Sequence, residues 1–358
     1  MIQSIFVKDP IAPSYEIGAN SPPFIIAEVS CNHNGAIERA FEIIEAAAKV
    51  GAHAVKFQTY TADTMTLDIN EGEFAITDEK SLWKGYNLYK LYEEAHTPWA
   101  WHKALFDKVR TLGMIPLSTP FDATAVDFLE KEVNPGIYKV ASFENTDIPL
   151  IEKVARTGKP MIISTGMATA QELEESVKAA QNAGCKDLIL LQCTSAYPSD
   201  AQDANLATMA DMRDRFGVQI GLSDHTLGLA VPLVAVALGA TVIEKHFTLC
   251  RADGGHDSAF SLEPSELEDL VIESKRAWQA IGKVSYGPSS PKEEKSLVYR
   301  RSLYIVEDVK AGEQLTEKNV RAIRPGLGLK PKYMKELLGK VATADLKKGT
   351  ALKHEHFK

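Results

Sequence analysis

Two apolar runs stop at histidines. "IGLSDHTLG" (Ile220 to Gly228) reaches His225, and "VIEKHFTL" (Val242 to Leu249) reaches His246. Two neutral imidazoles on neighbouring strand ends suit a divalent metal and leave coordination positions for water and a substrate oxygen. An open ion of that kind is a Lewis acid for a carbonyl. Ser223 and Glu244 lie two residues before the histidines, so each shares a strand face with its histidine.

Other strand-like runs end in groups that could join them. The first ends in Glu28, Ser30, Asn32 and His33; the second carries Lys56 and Gln58 on one face. Further runs bring Ser118 and Thr119, then Lys139, Ser142 and Glu144, then Ser164 and Thr165, then Thr194, Ser195 and Tyr197. Two lysines with a ring of hydroxyls suit a phosphate, charge coming from Lys and donors from Ser and Thr. Glu28 and Glu144 can orient hydroxyls or move protons. Each residue also has a plainer reading. A strand-end histidine is often a hydrogen-bonded structural residue, and His33 in "NHNG" or a strand-end serine can be a turn residue. Lys245 faces away from His246 by alternation and reads as structural. Two lysines within apolar strands of a closed barrel cannot face solvent, so they require an anionic partner.

The elements that must position these residues are eight β-rich apolar runs, starting near Phe24, His53, Met114, Gly136, Pro160, Leu188, Gln219 and Thr241. Segments of helical spacing separate them, such as Phe41, Ile44 and Ala48 or Leu173, Val177 and Ala180. Capping boxes are expected at Thr169/Glu172 and Ser265/Glu268. Gly51, Gly113, Gly184 and Gly239 stand where helices should stop. Eight strand–helix units over this length predict an α/β fold, a (β/α)8 TIM barrel with its site at the C-terminal ends of the strands. The rival, a doubly wound open sheet, needs fewer strands and usually a Gly-rich first turn, and only "NHNG" follows the first strand. A long insertion from about Thr61 to Trp101 should cover one face.

From Val284 to Leu297 the composition turns to that of a linker. Beyond it "DVKAGEQLTEKNV" (Asp308 to Val320) recurs as "DLKKGTALKHEHF" (Asp345 to Phe357). The expected organisation is a barrel over 1–283 with an N-terminal hairpin extension, a linker over 284–297 and a small two-part domain over 298–358. So small a domain is marginal alone and should lean on its own barrel or on a neighbouring chain. The net charge of −8 argues against a nucleic-acid partner, and no run reaches the length of a membrane span. Four cysteines without a C-x-x-C pair read as reduced thiols in a cytoplasmic protein.

"IIAEVSCNHNG", "AVKFQTY", "STPFD", "YKVASFE", "PMIISTGMA", "CTSAYP", "GLSDHTLG" and "VIEKHFTL" together resemble the successive motifs of the sialic acid synthase family over nearly the whole chain. The repeat resembles that family's antifreeze-like (SAF) domain. "SLWKGYNLYKLYEEAHTPWAWH" and "RADGGHDSAFSLEP" are most similar to the pseudaminic acid branch. The resemblance implies condensation of phosphoenolpyruvate with open-chain 2,4-diacetamido-2,4,6-trideoxy-L-altrose and water, giving pseudaminate and phosphate by C–O cleavage. N-acetylneuraminate or legionaminate synthesis is the alternative within the family. The resemblance further implies His225 and His246 as ligands of Mn²⁺, with Mg²⁺ or Co²⁺ as substitutes. Lys56, Lys139, Ser142, Ser164 and Ser223 would grip phosphoenolpyruvate, with Gln58, Ser195 and Tyr197 in the same cavity. Glu28 would bind sugar hydroxyls and Glu144 handle a proton. Arg324, in "IRPGLGL", would be delivered to the partner barrel of a domain-swapped homodimer. Two positions depart from many family members: Ser195 replaces Asn in "CTNxYP", and Cys250 stands where an acid follows the last strand's histidine. Both lie near the expected sugar and count against N-acetylneuraminate as product.

Overall fold

Counting by two along each run is what builds the central sheet. The structure, a computed structural model, describes residues 2–77 and 83–358; part of the expected covering insertion, with Ser81 and Leu82 of its motif, lies outside the described residues. A short hairpin comes first, β1 (Ile5–Val7) antiparallel to β2 (Tyr15–Ile17). Then follow β3 (Phe24–Glu28), β4 (Ala54–Thr59), β5 (Ile115–Pro120), β6 (Tyr138–Val140), β7 (Met161–Ser164), β8 (Leu188–Cys193), β9 (Gln219–Asp224) and β10 (Val242–His246). These eight are parallel, and β10 pairs with both β9 and β3, so the sheet closes into a barrel.

Closure sorts the side chains into two populations. Residues such as Ile25, Val55, Phe57 and Ile243 point outward and pack on the surrounding helices. Phe24, Ile26, Ala54, Ile115, Leu117, Ile162, Ile189 and Val242 point inward and fill the N-terminal half of the barrel with apolar bulk. Ile5, Val7 and Ile17 of the hairpin join that cluster. The C-terminal half is left to inward polar residues, the division expected of a barrel whose chemistry sits at one end.

Helices end where the sequence indicates, with Gly51, Gly113, Gly184 and Gly239 all at positive φ. The Thr169/Glu172 capping box is formed. The expected Ser265/Glu268 box is not. That helix begins at Pro264, and Glu266 accepts the Glu263 backbone N–H at 2.8 Å, two residues earlier than expected. Proline suits the first helical position because its missing N–H would have no partner there.

The chain divides into two units, Met1–Gly282 and Lys283–Lys358. In the second, β11 (Ser302–Ile305) pairs antiparallel with β12 (Val320–Ile323) over a core that includes Leu303, Val309, Leu315 and Leu352. The two repeat halves bind each other reciprocally: Asp308 accepts the Lys348 N–H at 2.7 Å, and Asp345 accepts the Ala311 N–H at 3.0 Å. Arg324 follows β12 and is exposed. No helix among the described residues is long and apolar enough to cross a membrane. Cys31, Cys185, Cys193 and Cys250 are free thiols.

Candidate active site

Register brings the polar strand ends together. Glu28 stands opposite His246 on one side and Lys56 on the other, and Ser223 stands between Cys193 and Glu244. Two linked groups result.

The deeper group is ionic. Lys139 Nζ lies 3.0 and 3.1 Å from the two carboxylate oxygens of Glu244. Lys56 Nζ lies 2.8 Å from Glu28 Oε2 and 3.7 Å from Glu244 Oε1, and donates to Thr119 at 3.2 Å. Ser223 donates to Glu244 Oε1 at 3.2 Å. The anionic partner these lysines require is thus present in the protein itself, as Glu28 and Glu244. Burial pushes the Glu244 carboxyl up, but the Lys139 and Lys56 ammonium groups more than offset this and hold it at about 2. Burial likewise raises Glu28, with Lys56 opposing. Burial lowers Lys139, only partly countered by Glu244. Ser164 Oγ, at the C-terminal end of β7, is buried with no hydrogen-bond partner, an orphan donor.

The shallower group holds the imidazoles. The His225 and His246 rings are 5.3 Å apart, centroid to centroid. A carbonyl oxygen can only accept, so His225 Nδ1, 2.9 Å from the Thr194 carbonyl, carries a proton, and in the neutral ring Nε2 holds the lone pair. Burial lowers this imidazole, but Cys193 and the Thr194 carbonyl more than offset it and raise it. His246 Nδ1 is buried without a hydrogen bond, 3.6 Å from Asp257 Oδ2. Burial first, then His225 whenever that ring is protonated, and the two lysines keep His246 well below the usual imidazole range, so it is neutral at pH 7. These donors fit a divalent ion. Among the described residues no three His, Cys, Asp or Glu side chains form a closed metal cage, and two imidazoles suit an ion that keeps water and takes up a substrate oxygen.

A cavity of about 280 Å³ opens beside the shallower group, lined by Ser30, Gln58, Ser142, Glu144, Tyr197, His246 and Asp257; Lys56, Lys139, Glu244 and Ser223 lie behind this lining. Gln58 links it to the ionic layer by donating to Glu28 at 3.0 Å and to Ser30 at 2.9 Å. Tyr197 packs against His225, centroids 4.4 Å apart. Ser142 and Ser195 hydroxyls are 2.7 Å apart. Gly166 is required beside them: its φ is +50°, and a Cβ there would lie 2.5 Å from the Ser142 Cβ and 2.9 Å from the Ser195 hydroxyl. Glu144 Oε2 is buried and unpartnered, and burial, with Asp147 adding, raises its carboxyl to about 7.

The insertion after β4 supplies the outer wall through Met65, Ile76, Leu88, Leu91 and Tyr92, so its described part does cover the strand ends. His33 is a turn residue, its Nδ1 accepting the Gly35 N–H at 3.1 Å. Lys245 bonds to Asp224 at 2.8 Å, away from the cavity. A wider depression of about 590 Å³ lies among the N-terminal hairpin and the loops entering the strands, lined by Lys8, Asn134 and Lys159; it gathers none of the strand-end groups.

Two site residues escape the sequence reading. Glu244 is visible by alternation as an inward acid beside His246, yet no role follows from its position alone. Asp257 has no such signal. It sits in the loop after β10, accepts the Ser30 hydroxyl at 2.5 Å, and reaches the cavity only because that loop folds back.

Comparison with known proteins bears on this site. The NeuB family model matches residues 43–286 and the SAF domain model residues 300–358. The pseudaminic acid synthase of Helicobacter pylori is 44% identical over 331 residues, 92% of this chain and 96% of that protein. Its counterpart from Campylobacter jejuni strain 81-176 is 43% identical over 335 residues, 94% of this chain and 96% of that one. Among solved structures, N-acetylneuraminic acid synthetase of Leptospira borgpetersenii, in complex with citrate, superposes with a TM-score of 0.72 at 33% identity, covering 83% of this chain and 96% of that chain.

Proposed function

From the premise that this chain belongs to the NeuB family, we propose that it is a transferase that condenses phosphoenolpyruvate with open-chain 2,4-diacetamido-2,4,6-trideoxy-L-altrose and water, releasing pseudaminate and phosphate. One observation carries the reading: strand register in one closed barrel sets the carboxylates that hold a buried ammonium pair next to two strand-end imidazoles, Glu28 opposite both Lys56 and His246, and Glu244 on the face of His246 with Lys139 on it. In a chain 43–44% identical to pseudaminic acid synthases nearly end to end, that arrangement supports an anionic three-carbon partner beneath an aldehyde.

Lys56 and Lys139 attract the phosphate and carboxylate of phosphoenolpyruvate, and Ser142, Ser164 and Ser223 donate to its oxygens. Gln58, Glu28 and Asp257 orient sugar hydroxyls above it, while Tyr197 forms a wall. The apolar wall of Met65, Ile76, Leu88, Leu91 and Tyr92 suits a deoxy sugar bearing acetamido methyl groups better than a fully hydroxylated one. Holding two reactants in this geometry contributes up to roughly 7–11 kcal/mol. Carbon 3 of phosphoenolpyruvate bonds to the aldehyde carbon, water adds at carbon 2, and the tetrahedral adduct loses phosphate with its bridging oxygen. Glu144, poised near neutrality, holds the proton that the attacking water gives up. His225 and His246 would hold a divalent ion, Mn²⁺ by preference, which supplies Lewis acidity for the aldehyde oxygen. We place the reaction in the cytoplasm and the working enzyme as a homodimer in which Arg324 completes the neighbouring barrel's sugar pocket.

Purified protein is given phosphoenolpyruvate and each candidate sugar in turn, and phosphate release is followed. The expected result is release with the diacetamido-trideoxy-altrose and transfer of a bridging ¹⁸O label into phosphate. Release only with the precursor of N-acetylneuraminate or of legionaminate would reassign the product; retention of the label in the nine-carbon acid would reject C–O cleavage.

A further inference from the structure

Three of the groups assigned to phosphoenolpyruvate are already engaged by one side chain. Glu244 accepts from Lys139 through both oxygens, at 3.0 and 3.1 Å, and from Ser223 at 3.2 Å, and lies 3.7 Å from Lys56. Its side chain is only 5% exposed, so water cannot screen these contacts. With Glu28 at 2.8 Å from Lys56, two carboxylates balance two ammonium groups. An incoming phosphoryl group therefore meets a neutral cluster in which its cationic partners are taken.

We propose that Glu244 is the resident counter-anion of this site: it holds Lys56, Lys139 and Ser223 in place while the barrel is empty, and competes with the phosphoryl group for them when it is full. The inference rests on the phosphoenolpyruvate reading above. Two ammonium groups facing each other in a barrel without an anion would be strongly destabilising. A fixed carboxylate removes that cost, and in return repels the bound phosphate across the same lysines. Glu244 thus weakens anion binding, including that of the phosphate product, and favours its departure. It acts through the lysines as a positioning residue.

Glu244→Gln keeps the shape and removes the charge. In calorimetric titration with inorganic phosphate the variant is expected to bind at least about tenfold more tightly than the parent. KM for phosphoenolpyruvate should fall and inhibition by phosphate should deepen in proportion. Its Tm without phosphate should drop and then rise more steeply with added phosphate than the parent's, as ligand linkage requires. A merely structural role would lower Tm equally at every phosphate concentration. If the variant folds only in phosphate, the Tm series replaces the titration and is judged by the same steeper rise; a variant that stays unfolded at high phosphate overturns the proposal. So does unchanged or weakened phosphate affinity. Glu244→Asp retains the charge and should stay near the parent's affinity; if it tightens as much as Gln, charge is not the cause and the proposal falls. Should the parent consume no phosphoenolpyruvate with any sugar, the assigned reaction fails, and the phosphate titration still decides the role of Glu244.

Discussion

Glu144 is buried enough to titrate near pH 7, and that has two separable consequences. Burial raises its carboxyl, with Asp147 adding and Lys139 opposing. Its folded pKa of about 7 lies above the ordinary 4.5, so the native state holds this proton more tightly than the unfolded chain does. The resulting stability is fully present below the ordinary value and is lost as pH rises through about 7. Glu144→Gln should therefore gain Tm relative to the parent at pH 8 but not at pH 4, read by parallel thermal melts. The same substitution should remove an inflection near neutrality from the kcat/KM profile and lower kcat by roughly 10²–10⁴-fold, the range of general acid–base catalysis. An inflection that survives the change would assign it to another group. His246 makes a different demand, because its neutral, unpartnered Nδ1 does nothing for the fold that a hydrogen bond would reveal. His246→Ala should stay folded by circular dichroism yet lose most activity and Mn²⁺ affinity; full activity with unchanged metal dependence would reject the ligand role.

At the scale of elements, the pairing of β9 with β10 sets the spacing of the two imidazoles. Asp224 and Lys245 are register partners on the outer face, and their side chains meet at 2.8 Å with 2% and 0% exposure. Lys245 also bonds the Thr226 carbonyl, so the residues on either side of His225 are tied to the residue before His246. Lys245→Met leaves Asp224 buried and unpaired and should cost about 3–5 kcal/mol in denaturant unfolding, the usual effect of breaking a buried pair. Lys245→Met/Asp224→Asn should recover part of it, and an additive loss in the double variant would show the pair uncoupled. Much of this architecture is legible in the sequence. The eight strands follow from apolar runs separated by helical spacing, and counting by two places Lys56, Gln58, Ser223 and His246 inward and Lys245 outward. What stays hidden depends on pairing between distant segments. Lys56 and Lys139 look like an empty phosphate grip until register sets Glu244 between them. Asp257 lies in a loop without period, and its place beside Ser30 and His246 comes from the chain's return path. The helix start at Pro264 departs from the expected one because proline at the first position can begin a helix without a Ser or Thr cap.

For the whole molecule, charge is unevenly divided. The second unit, residues 283–358, carries 17 Lys and Arg against 9 Asp and Glu, a net of +8, which leaves −16 on the barrel unit out of the total of −8. Opposite charges of that size attract through solvent and are screened within about 8 Å at physiological salt. If the small domain presents Arg324 to a sugar pocket, sugar use should be the salt-sensitive step. KM for the sugar should rise with ionic strength while KM for phosphoenolpyruvate, whose proposed partners Lys56 and Lys139 are buried, changes less. Arg324→Ala should weaken sugar use in the same selective way. Neither result says whose barrel the arginine serves, but mixing does. His246→Ala lacks a working barrel and keeps its arginine; Arg324→Ala has the reverse defect. In a swapped dimer a mixed pair rebuilds one intact site from two defective chains. Statistical exchange of equal amounts makes half the dimers mixed, each with one of two sites, so activity should return to about a quarter of the parent's. Were the arginine to act on its own barrel, each chain would keep its own defect and mixing would restore nothing.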